Sequence, residues 1–309
     1  MTVYAVQVTN LRRQFGDFVA VNDISFEVEK GEIFGFLGPN GAGKSTTIRM
    51  LCGLLLPSGG QGTVAGYDLM KESEKIKTKI GYMSQKFSLY QTLTVEENLD
   101  FYAGIYLMNR DIHAHKKDEF FTQTDLGKVR NRLVADLPVG ARQLLALFCA
   151  IQHDPEMIFL DEPTAGVDPL ARRYFWEQIN HLSERNVTVF VTTHYLDEAE
   201  ECDRIAMIFN GKLAAIGEPD TLKRTRFPGR VYSIQTGHPW QTADQLRTAT
   251  GVADVTLFGS ELHATLKPNV EVAAVIQSLP DQLRSTVAAT ELVPTLEDLF
   301  IALTREELQ

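Results

Sequence analysis

The sequence predicts a mixed α/β domain built on parallel central strands, followed by a smaller α+β domain, from three observations. Residues 32–52 run from an apolar strand through a glycine-rich loop into a helix with apolar positions at Ile48, Leu51 and Cys52. Met157-Ile158-Phe159-Leu160 is an apolar run ending in two adjacent carboxylates, Asp161 and Glu162, as a strand buried on both faces of an α/β sheet would. Beyond residue 225 shorter runs follow in a β-α-β-β-α-β order, the order of a ferredoxin-like domain.

Composition narrows the field. At 309 residues the chain exceeds one typical domain. Its 44% hydrophobic and 23% charged residues are an ordinary globular balance with length enough for a sizeable core. Thirty basic against forty acidic side chains leave a net charge of −10, so no nucleic-acid partner is expected. Cys52, Cys149 and Cys202 are scattered and odd in number, which points to core positions in a reducing cytosol rather than disulfides or a metal site. No apolar run approaches the roughly 18 residues of a membrane span. Met1-Thr2-Val3-Tyr4 lacks the basic and apolar zones of a signal peptide. A cytoplasmic protein is expected, with any membrane role coming through a partner.

In chain order, Tyr4–Val8, Phe15–Val21 and Ile24–Val28 read as three short strands of an antiparallel sheet leading into the strand 32–37. Phe15 is either a core aromatic or a flat face for a nucleotide base. Gly38-Pro39-Asn40-Gly41-Ala42-Gly43-Lys44-Ser45-Thr46 then carries the chemistry. Its glycines let backbone N–H groups turn inward on a phosphate chain, and the following helix aims its positive end at the same anion. Lys44 would neutralise the outer phosphates and the Ser45 hydroxyl would ligate magnesium.

Pro57 and the glycines of residues 58–66 mark turns, and Tyr67–Lys79 is expected as a surface helix. Ile80–Gln85 reads as a short buried strand whose terminal carboxamide would reach a metal shell and an attacking water. Thr94 and Glu97 have the spacing of a capping box at the start of a helix-rich region, residues 94–135. His113 and His115, beside Lys116 and Lys117, belong to a solvated helix face.

Asp161 and Glu162 stand where open α/β sheets place ligands, the first to hold a magnesium shell and the second to orient or deprotonate water. Gly166-Val167-Asp168-Pro169 is a tight turn before a helix over 171–185. A strand over 187–193 ends at His194, placed to sense a γ-phosphate. Leu196–Cys202 follows as an acidic helix, and Asn210-Gly211 closes a hairpin after Arg204–Phe209. The basic stretch Lys223–Gly229 is the linker candidate, dividing the chain into domains 1–225 and 226–309. In the second, a strand (231–236), a helix (242–248), a hairpin (252–266), a helix (270–279) and a strand (285–292) precede a last helix over 295–303. No catalytic constellation stands out there.

Taken together, the phosphate loop, Gln85, the run Asp161-Glu162-Pro163-Thr164, the turn Gly166-Val167-Asp168 and His194 resemble the nucleotide-binding domain of ABC transporters, over roughly residues 3–225. Gly81–Tyr90 and Pro294–Phe300 look most like the ATPases of type-2 ABC exporters. The resemblance implies a P-loop ABC ATPase fold with an antiparallel β subdomain and a helical signature subdomain. It also implies ATP and Mg2+: Phe15 stacking on adenine, Ser45, Gln85 and Asp161 around the metal, Glu162 polarising water and His194 holding the γ-phosphate. Gly140 and Asp168 would bear on nucleotide across a head-to-tail pair of such domains, as a homodimer or heterodimer. The partner would be an integral-membrane ABC permease docking on Lys86–Leu99, placing the chain at the cytoplasmic face of the plasma membrane as the ATPase of an exporter.

One stretch departs from the family. Its signature is usually Leu-Ser-Gly-Gly-x-x-Gln, whereas this chain has Leu137-Pro138-Val139-Gly140-Ala141-Arg142-Gln143. Pro138 offers neither hydroxyl nor N–H. Leu144 stands where arginine is usual. A weakly hydrolysing half of a heterodimer is the alternative, and a soluble ABC ATPase without a transport role is another.

Overall fold

In the computed structural model, which describes residues 3–85, 89–259 and 261–306, the N-terminal residues form one long hairpin in place of three short strands. β1 (Tyr4–Phe15) and β2 (Phe18–Glu29) are twelve residues each and antiparallel. Register shifts along the pair, with Asn10 and Asp23 at positive φ, keep it together where the apolar alternation is broken. Gly16, at φ 57°, turns the chain between them.

β3 (Ile33–Leu37) is buried throughout and feeds the glycine loop and the helix Lys44–Leu51. β4 (Gly59–Val64) and β5 (Tyr67–Asp68) extend the hairpin into a sheet ordered β2-β1-β4-β5. The surface helix expected over 67–79 is therefore shorter, Ser73–Lys79. Tyr67 pairs with Val64 across a turn of two positive-φ residues, Ala65 and Gly66. Asp68 Oδ1 then accepts from the backbone N–H of Met70 at 2.8 Å and Lys71 at 3.0 Å, which competes with helix.

β6 (Ile80–Met83), β7 (Met157–Asp161), β8 (Thr188–Thr193), β9 (Arg204–Phe209) and β10 (Lys212–Gly217) complete the central sheet, ordered β10-β9-β3-β8-β7-β6. It is parallel apart from the β9–β10 hairpin, which turns through Asn210 and Gly211 at φ 48° and 76°. Phe26 of β2 lies 5.8 Å from Phe34 and 5.7 Å from Phe36, ring centre to ring centre, and Phe36 is 5.4 Å from Phe190. This aromatic seam fastens the hairpin sheet to the central one. Each buried ring contributes about 1.5–3 kcal/mol. On the helix Pro169–Glu184, Phe175, Trp176, Ile179 and Leu182 are buried.

The helical region is built from Val95–Ile105, Arg110–Gln123 and Val139–Ile151. Thr94 and Glu97 form the expected capping box. Val95, Leu99, Phe120, Leu126, Val134, Leu137, Leu145 and Cys149 share its core. His113 Nε2 lies 2.7 Å from Asp100 Oδ1 in a surface ionic cluster that includes Lys117. All three cysteines are free and buried.

The chain divides into two compact units, residues 1–218 and 219–309. Lys223, Arg224 and Thr225, expected in a linker, instead end a helix, Pro219–Thr225. The second unit is an antiparallel sheet of β11 (Arg230–Gln235), β12 (Val252–Phe258), β13 (Glu261–Leu266) and β14 (Ala288–Leu292), ordered β12-β13-β11-β14. Tyr232, Ile234, Val255 and Leu262 pack with Ala243 and Leu246 of the helix Pro239–Thr248 and with Val275 of the helix Val272–Gln277. The last helix runs Leu296–Glu306. Among the described residues no helix is long and apolar enough to cross a membrane.

Candidate nucleotide site

The loop between β3 and the helix Lys44–Leu51 is shaped by what surrounds it. A Cβ on Gly38 would stand 2.3 Å from the Ile208 carbonyl oxygen, and one on Gly43 would stand 2.5 Å from that of Ala20. Gly43 also has φ 112°, so both the space and the backbone require glycine. Asn40 and Gly41 are exposed at the loop's tip, while Ala42 is buried. Gly43 is the helix's N-cap and no side chain caps it. Together the loop and helix start present uncapped backbone N–H groups of the kind that can receive an anion. Ser45 and Thr46 occupy the first turn, half-buried.

Lys44 is buried, 4% exposed. Its Nζ donates to Gly38 O at 2.7 Å and Pro39 O at 3.3 Å, and lies 3.0 Å from Glu162 Oε1. Glu162 Oε2 in turn accepts from Gln85 Nε2 at 2.7 Å and lies 3.3 Å from His194 Nδ1. The glutamate is thus the node that joins the phosphate loop, the end of β6 and the end of β8. Its own backbone is left-handed, φ 50°, a strain of about 1–2 kcal/mol. Its N–H donates to Thr192 Oγ1 at 3.0 Å, which helps hold it there.

Asp161 is the partner of Ser45. Ser45 Oγ donates to Asp161 Oδ1 at 3.1 Å, and Thr192 Oγ1 donates to the same oxygen at 2.8 Å. Burial pushes the Asp161 carboxyl above the usual carboxylate range, and the hydrogen bonds from Thr192 and Ser45 offset part of that. A hydroxyl and a buried carboxylate side by side form an oxygen donor set suited to a small hard cation such as Mg2+. Among the described residues no cluster of three His, Cys, Asp or Glu side chains could hold a metal alone.

Gln85 binds Glu162, where the sequence suggests a place beside metal and water. Phe15 ends β1 at 45% exposure, with the Arg13 guanidinium 4.4 Å from its ring centre. It is therefore not a core aromatic, and one of its faces is covered by a cation. The signature stretch Leu137–Gln143 is helical from Val139, with Pro138 as an N-cap that makes no side-chain bond. A Cβ on Gly140 would lie 3.8 Å from Asp168 Oδ2, so these two are neighbours on separate helices. Asp168 caps its own helix by accepting from Ala171 N at 3.0 Å. Among the described residues neither is a partner of Lys44, Asp161 or Glu162. Both line a groove of about 1250 Å³ with Leu137, Pro138, Leu144 and Tyr174.

Thr192 was not singled out from sequence, although it touches both acids. The available signal was the pair Thr192-Thr193 closing an otherwise apolar strand ahead of His194.

A glycine loop between a strand and a helix, with a buried lysine and an acid pair at the ends of parallel strands, defines a phosphate-loop nucleotide-binding domain. The family model described as ABC transporter matches residues 21–165. The chain is 33% identical over 310 residues to the Nod factor export ATP-binding protein I of Rhizobium sp. (strain N33), a match covering 100% of both. It is 50% identical over 218 residues to the probable multidrug ABC transporter ATP-binding protein YbhF of Escherichia coli (strain K12), covering 71% of this chain and 38% of that protein. A solved ATP-binding subunit of an ABC transporter aligns with a TM-score of 0.66 at 29% identity, over 72% of this chain and 93% of the other. The chain belongs to the ABC transporter family, among its ATP-binding proteins.

Proposed function

We propose that this protein hydrolyses ATP and energises export through a separate integral-membrane permease, acting as one half of a head-to-tail pair of nucleotide-binding subunits. The observation that carries the reading is Glu162, held between Lys44, Gln85 and His194 beside the Ser45–Asp161 oxygen pair. In this arrangement Lys44 is neutralised by Glu162 in the position where it would meet phosphate. A bound triphosphate takes over Lys44, which frees Glu162 Oε1 to polarise the attacking water. His194 then holds the γ-phosphate, and Gln85 reports the state of Glu162 to the segment that follows it. Ser45 and Asp161, with Gln85 completing the shell, would hold Mg2+, which when bound supplies neutralisation of the phosphate charge. Phe15 offers its open ring face to adenine, and Gly140 and Asp168 serve the partner's nucleotide.

Docking on the permease is supported by a groove of about 650 Å³ lined by Tyr82, Ser84, Tyr102 and Tyr106, with Leu54, Ile105 and Leu107 exposed around it. The expected docking segment Lys86–Leu99 follows Ser84 and Gln85 in sequence; Lys86, Phe87 and Ser88 lie outside the described residues. Such docking would place the protein at the cytoplasmic face of the membrane. A second reading, a weakly hydrolysing half of a heterodimer, is favoured by Pro138, which presents no hydroxyl at the start of its helix.

The deciding experiment is light scattering of purified Glu162→Gln protein with and without Mg-ATP, alongside steady-state hydrolysis by the wild type. An ATP-dependent dimer and wild-type turnover are expected. A persistent monomer together with no turnover overturns the homodimeric motor.

A further inference from the structure

The Glu198 carboxylate is 2% exposed and both of its oxygens are engaged by hydroxyls, one from the turn after β7 and one from the end of β8. Thr164 Oγ1 donates to Oε1, and Thr193 Oγ1 donates to Oε2 at 2.7 Å. Both threonines are themselves buried. Thr164 follows Glu162 by way of Pro163, and Thr193 immediately precedes His194. The same carboxylate faces the helix Pro169–Glu184. Arg172 Nε lies 3.4 Å from Glu198 Oε1, an ion pair without hydrogen-bond geometry. The Arg172 guanidinium sits 4.5 Å over the Tyr195 ring, whose centre is 4.1 Å from that of His194.

The position of this carboxylate matters because the backbone ladder runs out beside it. The last paired residues of β7 and β8 are Asp161 and Thr192. Past them the backbone offers one further bond, Glu162 N to Thr192 O at 3.2 Å. Glu162 and His194 both stand on the far side of that point. A buried carboxylate is costly unless its oxygens are satisfied, and here two hydroxyls on diverging segments do so. The arrangement clamps those segments at a fixed spacing.

We propose that Glu198 is a positioning residue: its carboxylate ties the segment after Glu162 to the strand end before His194 and so maintains the 3.3 Å contact between them. The proposal rests on the hydrolytic reading of the site. Glu198 touches no reacting atom and acts through Thr164 and Thr193.

The test uses the full chain with Glu198→Ala, Glu198→Gln and Thr193→Val, measuring kcat and KM for ATP, the Kd for ADP, and the ring nitrogen resonances of His194 by NMR. Glu198→Ala is expected to lower kcat by about tenfold to a hundredfold through misplacement alone. ADP binding should stay within about threefold, and the His194 ring resonances should move. Glu198→Gln still accepts from one threonine and donates to the other, so it should recover most of kcat. Thr193→Val should resemble Glu198→Ala in kind, and Thr193→Ser should rescue it.

Wild-type kcat and unmoved His194 resonances in folded Glu198→Ala overturn the proposal. So does a loss of ADP binding in proportion to kcat, which marks general damage. Should Glu198→Ala fail to fold, Thr193→Val decides on the same readouts. If the wild type binds ADP without hydrolysing ATP, the hydrolytic reading fails, and the His194 resonances alone still decide whether Glu198 positions that ring.

Discussion

Lys44 and Glu162 neutralise one another at 3.0 Å inside the fold, with side-chain exposures of 3% and 7%. Replacing either has consequences beyond catalysis. Lys44→Ala is expected to reduce ATP turnover at least about a hundredfold and to lower stability, since it leaves a buried carboxylate short of its cation. Near-normal hydrolysis by that variant would overturn the assignment of the loop. In Glu162→Gln the carboxylate that competes with phosphate for Lys44 is gone. Mg-ATP titration should show tighter binding together with lost turnover, and weaker binding would contradict the exchange.

Asp161 gives the pH dependence. Its carboxyl is raised in the fold by burial, so charging it costs stability above that raised value, and acidification towards the unfolded value relieves the cost. Metal binding needs the ionised form. Mg2+-dependent nucleotide affinity should therefore begin to fall above the ordinary carboxylate range as pH is lowered, and Asp161→Asn should abolish the metal dependence. At this scale the sequence was legible where residue type and spacing are the chemistry, as in residues 38–46 and the Asp161–Glu162 pair. Thr192 and Glu198 were not, because their roles exist only once β7 and β8 lie side by side.

Among the elements, the helix Val139–Ile151 and strand β6 are in unusually close contact. A Cβ on Gly81 would stand 2.2 Å from the Ala150 carbonyl oxygen. His153, just past the helix, places Nε2 3.1 Å from Ile80 O and stacks on Tyr106 with ring centres 3.6 Å apart. Gly81→Ala must push strand and helix apart and should cost about 1–3 kcal/mol, read by urea denaturation; an unchanged midpoint would refute the contact. Burial depresses His153 from 6.5 to about 4. A histidine held neutral in the fold stabilises it fully above its unfolded value and loses that contribution as pH falls between the two. His153→Gln should flatten the stability profile across that window.

Helix and strand types were largely legible from apolar spacing. The errors fell where local side-chain bonding decides, as at Asp68, or where bulges let a strand run on past its expected end, as in β1, or through what looked like two strands, as in β2. In the signature stretch the helix begins at Val139, directly after Pro138, a residue that stops a helix from within but stands readily at its start.

Across the whole molecule, the order of the central sheet sets Asp161 and Thr192 at neighbouring strand ends and brings Ser45, on the helix after β3, to the same carboxylate, although residues 45 and 161 are far apart in sequence. The ferredoxin-like order of the second unit was legible as a sequence of elements, while the expected linker was not, because its basic residues extend a helix whose start at Pro219 carries no strong apolar pattern.

The two tryptophans are divided between the units. Trp176 is buried, 5% exposed, inside the first, and Trp240 is 69% exposed on the second. An indole already in water changes its emission little when its surroundings unfold, whereas a buried one shifts strongly to the red. Intrinsic fluorescence will therefore follow the nucleotide-binding unit almost alone, while far-ultraviolet circular dichroism follows both. Where the two melting curves separate, their difference is the unfolding of the C-terminal unit, seen without a label or a truncation.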